Sequence, residues 1–252
     1  HGTENGKFGI NAGVSRTVYT KGIDGDDDAS NTNFQTRIDA DPFSKTNISG
    51  RIFFSDADVN LNSGPDTFGT LPATNFSIIY AQPNINFTPD VNDPDNSQRS
   101  KFFSGQLVVD HAINSSVVIG GYYQGLKTKR ANINGALGAG FQSSSTSIYD
   151  GTIQTANAHI NWTPGEHQFT AGYEFEIEQY GNDGSTPSGT GNFFTRAGQK
   201  SNTFYAQDLV SLVDGRLQLA GSVRAQAFSL DSPGFSLANA PYANLTLVDP
   251  LT

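Results

Sequence analysis

The stretch HQFTAGYEFEIEQ, residues 167–179, alternates between apolar and polar side chains. In an extended chain, successive side chains point to opposite faces, so Phe169 and its odd-numbered neighbours share one face, and Glu174, Glu176 and Glu178 share the other. A helix with 3.6 residues per turn would spread both sets around its axis, and the aromatic and β-branched content also favours a strand. The stretch therefore predicts a β-strand with an apolar environment on one side and water on the other.

Similar alternation predicts eight further strands. The nine predicted strands cover residues 7–19, 32–41, 46–56, 100–111, 116–128, 150–162, 167–180, 201–212 and 216–229. Several are roughly twice as long as the ~5 to 6 residues of an ordinary soluble strand, and this length suits a tilted crossing of a ~25 Å apolar band.

The connections between the predicted strands alternate between short and long. DPFS, AINS, TPGE and VDG are tight turns, whereas KGIDGDDDASNT, residues 57–99, NINGALGAGFQSSSTSIY and NDGSTPSGTGNFFTRAGQ are long and polar. In an up-and-down antiparallel sheet, every second connection lies at the same end, so all short turns would lie on one rim. This asymmetry is typical of outer-membrane barrels. The fold class predicted is all-β, an antiparallel up-and-down transmembrane β-barrel of about nine strands.

The alternation also assigns side chains to the two faces of the barrel. Lipid would contact the row from Phe169 to Ile177, and Trp162 would lie in an interfacial aromatic girdle beside a tight turn. The polar lumen wall would carry Arg37, Arg51, Gln106, Gln124, His159, Gln207 and Arg224. Charges are expected on the lumen face because a charge on the lipid face costs up to ~2 to 4 kcal/mol at mid-depth.

The stretch FYAQDLVSLVDGRLQLAGSVR, residues 204–224, resembles the strand, turn and strand unit that recurs in TonB-dependent receptors of bacterial outer membranes. FFSGQLVVDH, RIFFSDADVNLNS and GYEFEIEQ resemble other barrel strands of that family. The resemblance implies a barrel around an N-terminal plug domain, with an inner-membrane protein that supplies energy. It also implies uptake of a scarce small-molecule or oligosaccharide ligand, such as a metal chelate, cobalamin or a sugar chain.

The chain differs from that plan in several respects. No plug segment and no energy-coupling box are recognisable, no methionine is present, and the last residues read VDPLT instead of ending on an aromatic residue. We therefore expect residues 1–252 to be a partial outer-membrane barrel domain without a plug.

Composition excludes several function classes. The net charge of -9 argues against a nucleic-acid partner, and the absence of cysteine rules out disulfides and thiolate metal sites. In the acidic run 24–28, Asp24, Asp26 and Asp28 resemble the start of a calcium loop, but Ala29 and Gln35 occupy the places that require Gly and Glu. The histidines lack metal-binding spacing. We predict no metal, no cofactor and no catalytic site.

Two groups of residues are the candidate ligand contacts. On the lumen side, Glu174, Glu176 and Glu178 would bind a cationic ligand or the plug, although pairing with lumen Arg and Lys is the expected alternative. In the long connections, the candidates are Tyr80, Phe141, Phe193, Phe194 and Arg196.

Two other functions remain open on sequence grounds. A passive porin would use the same wall to conduct ions without an energy source. A soluble secreted β-sandwich or adhesin module would pack the apolar rows of two sheets against each other.

Overall fold

The computed structural model describes residues 2, 6–20, 28–61, 93, 95–137 and 144–237. These residues form ten β-strands: β1 Phe8–Tyr19, β2 Ala29–Phe43, β3 Thr46–Asn60, β4 Ser97–Ala112, β5 Val117–Asn134, β6 Ser145–Trp162, β7 His167–Ser185, β8 Phe193–Leu212, β9 Leu217–Leu230 and β10 Gly234–Leu237. The described residues include no helix that is long and apolar enough to cross a bilayer.

The strands form one antiparallel sheet in which β1 to β8 follow each other in chain order. β9 and the short β10 both pair with β8, β9 along Gln199 to Leu212 and β10 along Phe193 to Arg196. Residues 44–45, 113–116, 163–166 and 213–216 join strands at one end, and residues 20–28, 61–96, 135–144 and 186–192 join them at the other. The up-and-down order and the predicted alternation of short and longer connections are confirmed.

All nine predicted strands are present, and β2 to β8 extend further than predicted at the end of the longer connections, whereas β1 ends at Tyr19 as predicted. β5 continues to Asn134 instead of residue 128, and β8 begins at Phe193 instead of residue 201. Backbone pairing continues there although the alternation of apolar side chains has ended, because a strand that has left the apolar layer of the membrane is exposed to water on both faces. The connection between β7 and β8, predicted as NDGSTPSGTGNFFTRAGQ, therefore consists only of residues 186–192. The sequence did not predict β10, which follows an interruption at Asp231 to Pro233.

The described sheet has no hydrophobic core. None of its apolar side chains is buried, and Val14, Phe204 and Val223 are 76%, 61% and 66% exposed. In a soluble sandwich, these rows would be covered by a second sheet. The described strands form a single layer, which is not the two-sheet arrangement of a β-sandwich. The apolar rows therefore belong to a surface that contacts lipid.

One turn has an unusual backbone. Val213, Asp214 and Gly215, between β8 and β9, have φ angles of 54°, 53° and 82°. This left-handed region suits glycine and is tolerated by Asp, but it is unfavourable for a β-branched residue such as valine. The turn reverses the chain tightly at the cost of local strain at Val213.

Candidate functional site on the concave face

The face that carries Glu174, Glu176 and Glu178 is concave. A cavity of about 720 Å³ on this side is lined by residues from seven consecutive strands, from Asn11 on β1 to Glu176 on β7. A sheet can place seven neighbouring strands around one cavity only if it curls towards that side. We call this side the concave face, and the side with the apolar rows the outer face.

The centre of the concave face is a single row of directly paired residues across eight strands. From β1 to β8 the row is Asn11, Arg37, Arg51, Gln106, Gln124, Thr155, Glu176 and Ser201. We call it the central rung. Five predicted lumen residues, Arg37, Arg51, Gln106, Gln124 and Glu176, therefore lie on one line, which sequence alternation alone does not show.

The central rung separates charges of opposite sign. Arg37 and Arg51 are adjacent on β2 and β3, whereas Glu176 lies on β7. Neutral groups connect them: Gln106 donates to Gln124 at 3.4 Å, Gln124 donates to Thr155 at 3.5 Å, and the Thr155 hydroxyl donates to Glu176 at 2.9 Å. Arg37 is also paired with Asp39 at 2.7 Å.

The glutamates of β7 are held by hydroxyl groups instead of cations. Glu174 accepts a hydrogen bond of 2.5 Å from the Tyr122 hydroxyl, and Glu176 accepts the one from Thr155. Glu178 lies between Ile153 and Gln199 in the strand register. In the described part of the chain, no Lys or Arg forms an ion pair with any of the three. The expected pairing with lumen Arg or Lys is therefore not seen among the described residues, where the register places the arginines of the central rung four or more strands away.

Small residues allow the larger side chains of this face to lie flat. Thr155 and Thr203 are each only 2% exposed, beside the glutamate side chains. A Cβ atom on Gly172 would lie 2.4 Å from the Tyr205 hydroxyl. Tyr205 thus lies across Gly172, and the Asn157 amide donates to its hydroxyl at 3.2 Å.

The remaining predicted wall residues also face the concave side. His159 lies 3.2 Å from Asn157 through Nδ1 and 3.8 Å from Asp110 through Nε2. Gln207 pairs with Thr170 and Ser222. Arg224 pairs with Tyr205 on the β9 edge.

The predicted loop contacts have a different outcome. Phe193, Phe194 and Arg196 lie on strand β8 instead of in a loop. The Nη2 atom of Arg196 donates to both carboxylate oxygens of Asp183, at 2.8 Å to Oδ1 and 2.7 Å to Oδ2. This ion pair raises the pKa of the guanidinium above its ordinary value. Arg196 and Phe194 have the parity of the outer face, opposite to the glutamates. Tyr80 and Phe141 lie outside the described residues, and the ligand contacts of all five stay predictions.

No three His, Asp or Glu side chains of the described residues are grouped as metal ligands. Asp24 and Asp26 of the acidic run lie outside those residues. Sequence reasoning did not name Tyr122, Thr155, Asn157 and Tyr205 as site residues. Tyr122 and Thr155 donate hydrogen bonds to the glutamates, and Asn157 and Tyr205 bond to each other beside them. Parity contained a signal for Tyr122: in GYYQG the first tyrosine shares its face with Gln124 and the second faces out.

Comparison with protein families accounts for this architecture. The model of the family described as TonB dependent receptor-like, beta-barrel, matches residues 31–250. The chain belongs to this TonB-dependent receptor barrel family. Its members are transport receptors of the Gram-negative outer membrane, and this protein is located there as well. The predicted family, fold class and location are confirmed. No curated protein matches the sequence significantly.

Solved structures of other TonB-dependent receptors have a similar fold. BauA, the ferric preacinetobactin receptor from Acinetobacter baumannii, has a TM-score of 0.62 at 12% identity, over 93% of this chain and 38% of BauA. The ferric citrate transporter FecA has 0.61 at 10%, over 90% and 33%. FyuA, the ferric yersiniabactin uptake receptor from Yersinia pestis, has 0.57 at 11%, over 92% and 39%. The chain thus spans well under half the length of these receptors, and at such identities the likeness shows the fold alone.

Proposed function

We propose that this chain forms part of the wall of a receptor that takes up a scarce ligand across the outer membrane with energy supplied from the inner membrane. The ligand class is a metal chelate, with cobalamin or an oligosaccharide as the other members of the predicted range. The metal chelate is supported by the likeness to BauA, FecA and FyuA, which are receptors or transporters of ferric complexes. The chain itself would have no catalytic role.

The observation that supports this proposal is the row of glutamates that have no cationic partner among the described residues. Glu174 and Glu176 face the cavity, and their described partners are the hydroxyls of Tyr122 and Thr155. A carboxylate that is partly removed from water gains most from a cationic partner. Basic side chains of a plug domain, or a cationic ligand, would supply that partner from inside the barrel.

The runner-up function is a passive porin. The concave face is polar along the central rung, and a water-filled channel also requires a polar wall. The two functions differ in their energy source, because ions and small solutes pass an open porin down their own gradient, whereas uptake through a receptor stops when the energy supply is removed.

The experiment compares cells that carry the protein with cells that lack it. Uptake of radiolabelled ferric citrate, cyanocobalamin and maltoheptaose is measured with and without a protonophore. We expect one of the three to be taken up only by cells with the protein, and this uptake to fall to background with the protonophore. Uptake that resists the protonophore, together with steady ion conductance in a planar bilayer, would establish the porin instead.

The role of the glutamates is tested with the double variant Glu174→Gln and Glu176→Gln. The amide oxygens still accept the hydrogen bonds from Tyr122 and Thr155, so the wall remains folded while both charges are lost. We expect lower energy-dependent uptake. Glu166→Gln, in the turn between β6 and β7, is the matched control and should leave uptake unchanged. Equal uptake in the double variant and the control would show that these carboxylates serve only the wall.

A further inference from the structure

Three lysines are close together on the outer face, on the side of the longer connections. Lys101 on β4 pairs directly with Lys129 on β5, and Lys127 pairs with Phe103 beside them. Directly opposed residues in a sheet have Cβ atoms about 4.5 to 5.5 Å apart, and like charges at this distance repel each other. The three ammonium groups therefore form a site that a bound anion would stabilise. We call it the lysine cluster.

The acidic residues around the lysine cluster neutralise it only in part. Asp56 on β3 contacts Lys101 at 3.5 Å, and Asp58 is paired with Arg99 at 2.9 Å. Asp150 on β6 is the register partner of Lys129. Within the described residues, however, neither Lys127 nor Lys129 has a carboxylate in ion-pair range. Both lysines are exposed.

An apolar groove of about 850 Å³ lies on the same face, nearer to the short turns. Its floor is made of Gly121, Ala158 and Ala171, on three adjacent strands. Bulky side chains from four strands form its walls: Leu107, Val109, Ile119, Tyr123, Tyr173 and Phe204. Its size suits a hydrocarbon chain, and its position on the outer face means that the surrounding solvent is lipid.

A pair of glycines connects the groove to the lysine cluster. Gly105 and Gly125 are direct partners on β4 and β5, between the level of Tyr123 and that of Lys127. A Cβ atom on Gly125 would meet nothing within 4 Å, and one on Gly105 would meet only the Phe103 ring and a backbone oxygen at van der Waals distance. The outer face is therefore open at this point. Four residues of strand separate Tyr123 from Lys127, or roughly 13 Å.

From this arrangement we propose that the outer face of β4 to β8 binds one phosphate-bearing lipid, with its phosphate at Lys101, Lys127 and Lys129 and its acyl chain in the groove below. In barrels of this type, the short turns face the periplasm and the longer connections face the outside. The lysine cluster thus lies at the height of outer-leaflet headgroups, and the groove lies at the height of the chains. A single amphiphile satisfies both parts, whereas a soluble anion would leave the groove unused.

The proposal is tested by native mass spectrometry of the protein in a neutral detergent, titrated with dioleoyl phosphatidic acid. Dioleoylglycerol, which lacks the phosphate, and inorganic phosphate, which lacks the chains, are the two comparison ligands. We expect one molecule of phosphatidic acid to be retained and neither comparison ligand to bind comparably. Equal retention of dioleoylglycerol, or full competition by inorganic phosphate, would overturn the proposal.

Three variants locate the site. The double variant Lys127→Gln and Lys129→Gln should weaken binding of phosphatidic acid roughly thirtyfold, because each lysine near a lipid surface contributes about fivefold. Gly125→Leu starts from a Cβ position with no atom within 4 Å and places a bulky side chain in the path between headgroup and chain, so it should also weaken binding. Lys200→Gln, which removes one lysine from the outer face of β8, is the control for loss of a positive charge elsewhere on this face and should bind as the parent does.

Heat-modifiable electrophoresis shows that each variant has folded before binding is compared. Unchanged binding in the double variant would show that the lysine cluster does not bind the phosphate. Unchanged binding in Gly125→Leu would show that the groove does not hold the acyl chain. Either result would overturn the proposal. An equal loss in Lys200→Gln would show that the lipid responds to charge anywhere on the outer face, which also contradicts the proposal.

Discussion

Tyr122 on β5 donates a hydrogen bond of 2.5 Å to Glu174 on β7, across the whole width of β6. The register places Asn157 between them, and the side chain of Asn157 is bonded to Tyr205 instead. The tyrosine therefore connects two strands that do not share backbone hydrogen bonds. This connection stiffens the wall across three strands at the height of the acidic row.

Tyr122→Phe removes this connection and keeps the ring. We expect the variant to lose about 1 to 2 kcal/mol of unfolding free energy, because a partly buried hydrogen-bonding group loses its partner. Guanidinium unfolding in detergent measures the loss. Tyr123→Phe, the outward-facing neighbour whose hydroxyl donates to Gln154 at 3.1 Å on an exposed surface, is the control. A loss in Tyr123→Phe as large as that in Tyr122→Phe would contradict the special role of the link to Glu174.

The assignment of the two faces is tested on β9. Val223 faces outward and is 66% exposed, whereas its neighbour Ser222 faces the concave side. Val223→Arg should destabilise the folded protein in vesicles by about 2 to 4 kcal/mol if its position is near the bilayer midplane. Ser222→Arg should cost much less, because its charge enters a polar lumen. An equal loss of stability in the two variants would mean that the two faces of β9 do not contact different surroundings, lipid on one side and water on the other.

Gly172 is predicted to tolerate no side chain. A Cβ atom there would lie 2.4 Å from the Tyr205 hydroxyl and 2.9 Å from the Ala158 backbone oxygen. Gly172→Ala should therefore lower the unfolding free energy by about 1 to 3 kcal/mol, which is the usual cost of inserting an extra carbon into a tightly packed site. Gly50→Ala is the matched control, because a Cβ atom on Gly50 meets nothing within 4 Å. If the two alanine variants are equally stable, Tyr205 does not lie over Gly172.

The turn after β8 offers a stabilising change. Val213 has a φ of 54°, where a β-branched residue is strained and asparagine is favoured. Val213→Asn should raise the unfolding free energy by about 1 kcal/mol. Gly215→Val, at a φ of 82°, should have the opposite effect. The same guanidinium titration measures both, and a loss of stability in Val213→Asn would contradict the proposed strain.

The sequence predicted the strand ends at the short turns well. The predicted segment from 167 begins at His167 in the structure, and the predicted segment to 162 ends at Trp162. Pro164 and Gly165 mark that turn, and strong alternation starts and stops beside it. At the other end the strands run on to Asn134 and Ser185, because paired backbone needs no apolar pattern once water surrounds both faces.

Sequence alternation predicts which wall residues share a face, but it does not predict how they are arranged on that face. Parity alone places Arg37, Gln124 and Glu176 on one face. Their meeting on the central rung depends on the registers of five successive strand pairs, from β2/β3 to β6/β7, and each register is set by turn geometry and packing between strands. The hydroxyl partners of the glutamates were missed for the same reason, since Thr155 reaches Glu176 only in this register.

The separation of charge along the central rung creates a transverse electric field inside the curled sheet. With Arg51 on one flank and Glu176 on the other, the field points from β3 towards β7. A solute with its own dipole would be rotated on entry, with its electropositive end towards β7 and its electronegative end towards β3. The wall would thereby select the orientation of a passing molecule before any direct contact selects its identity.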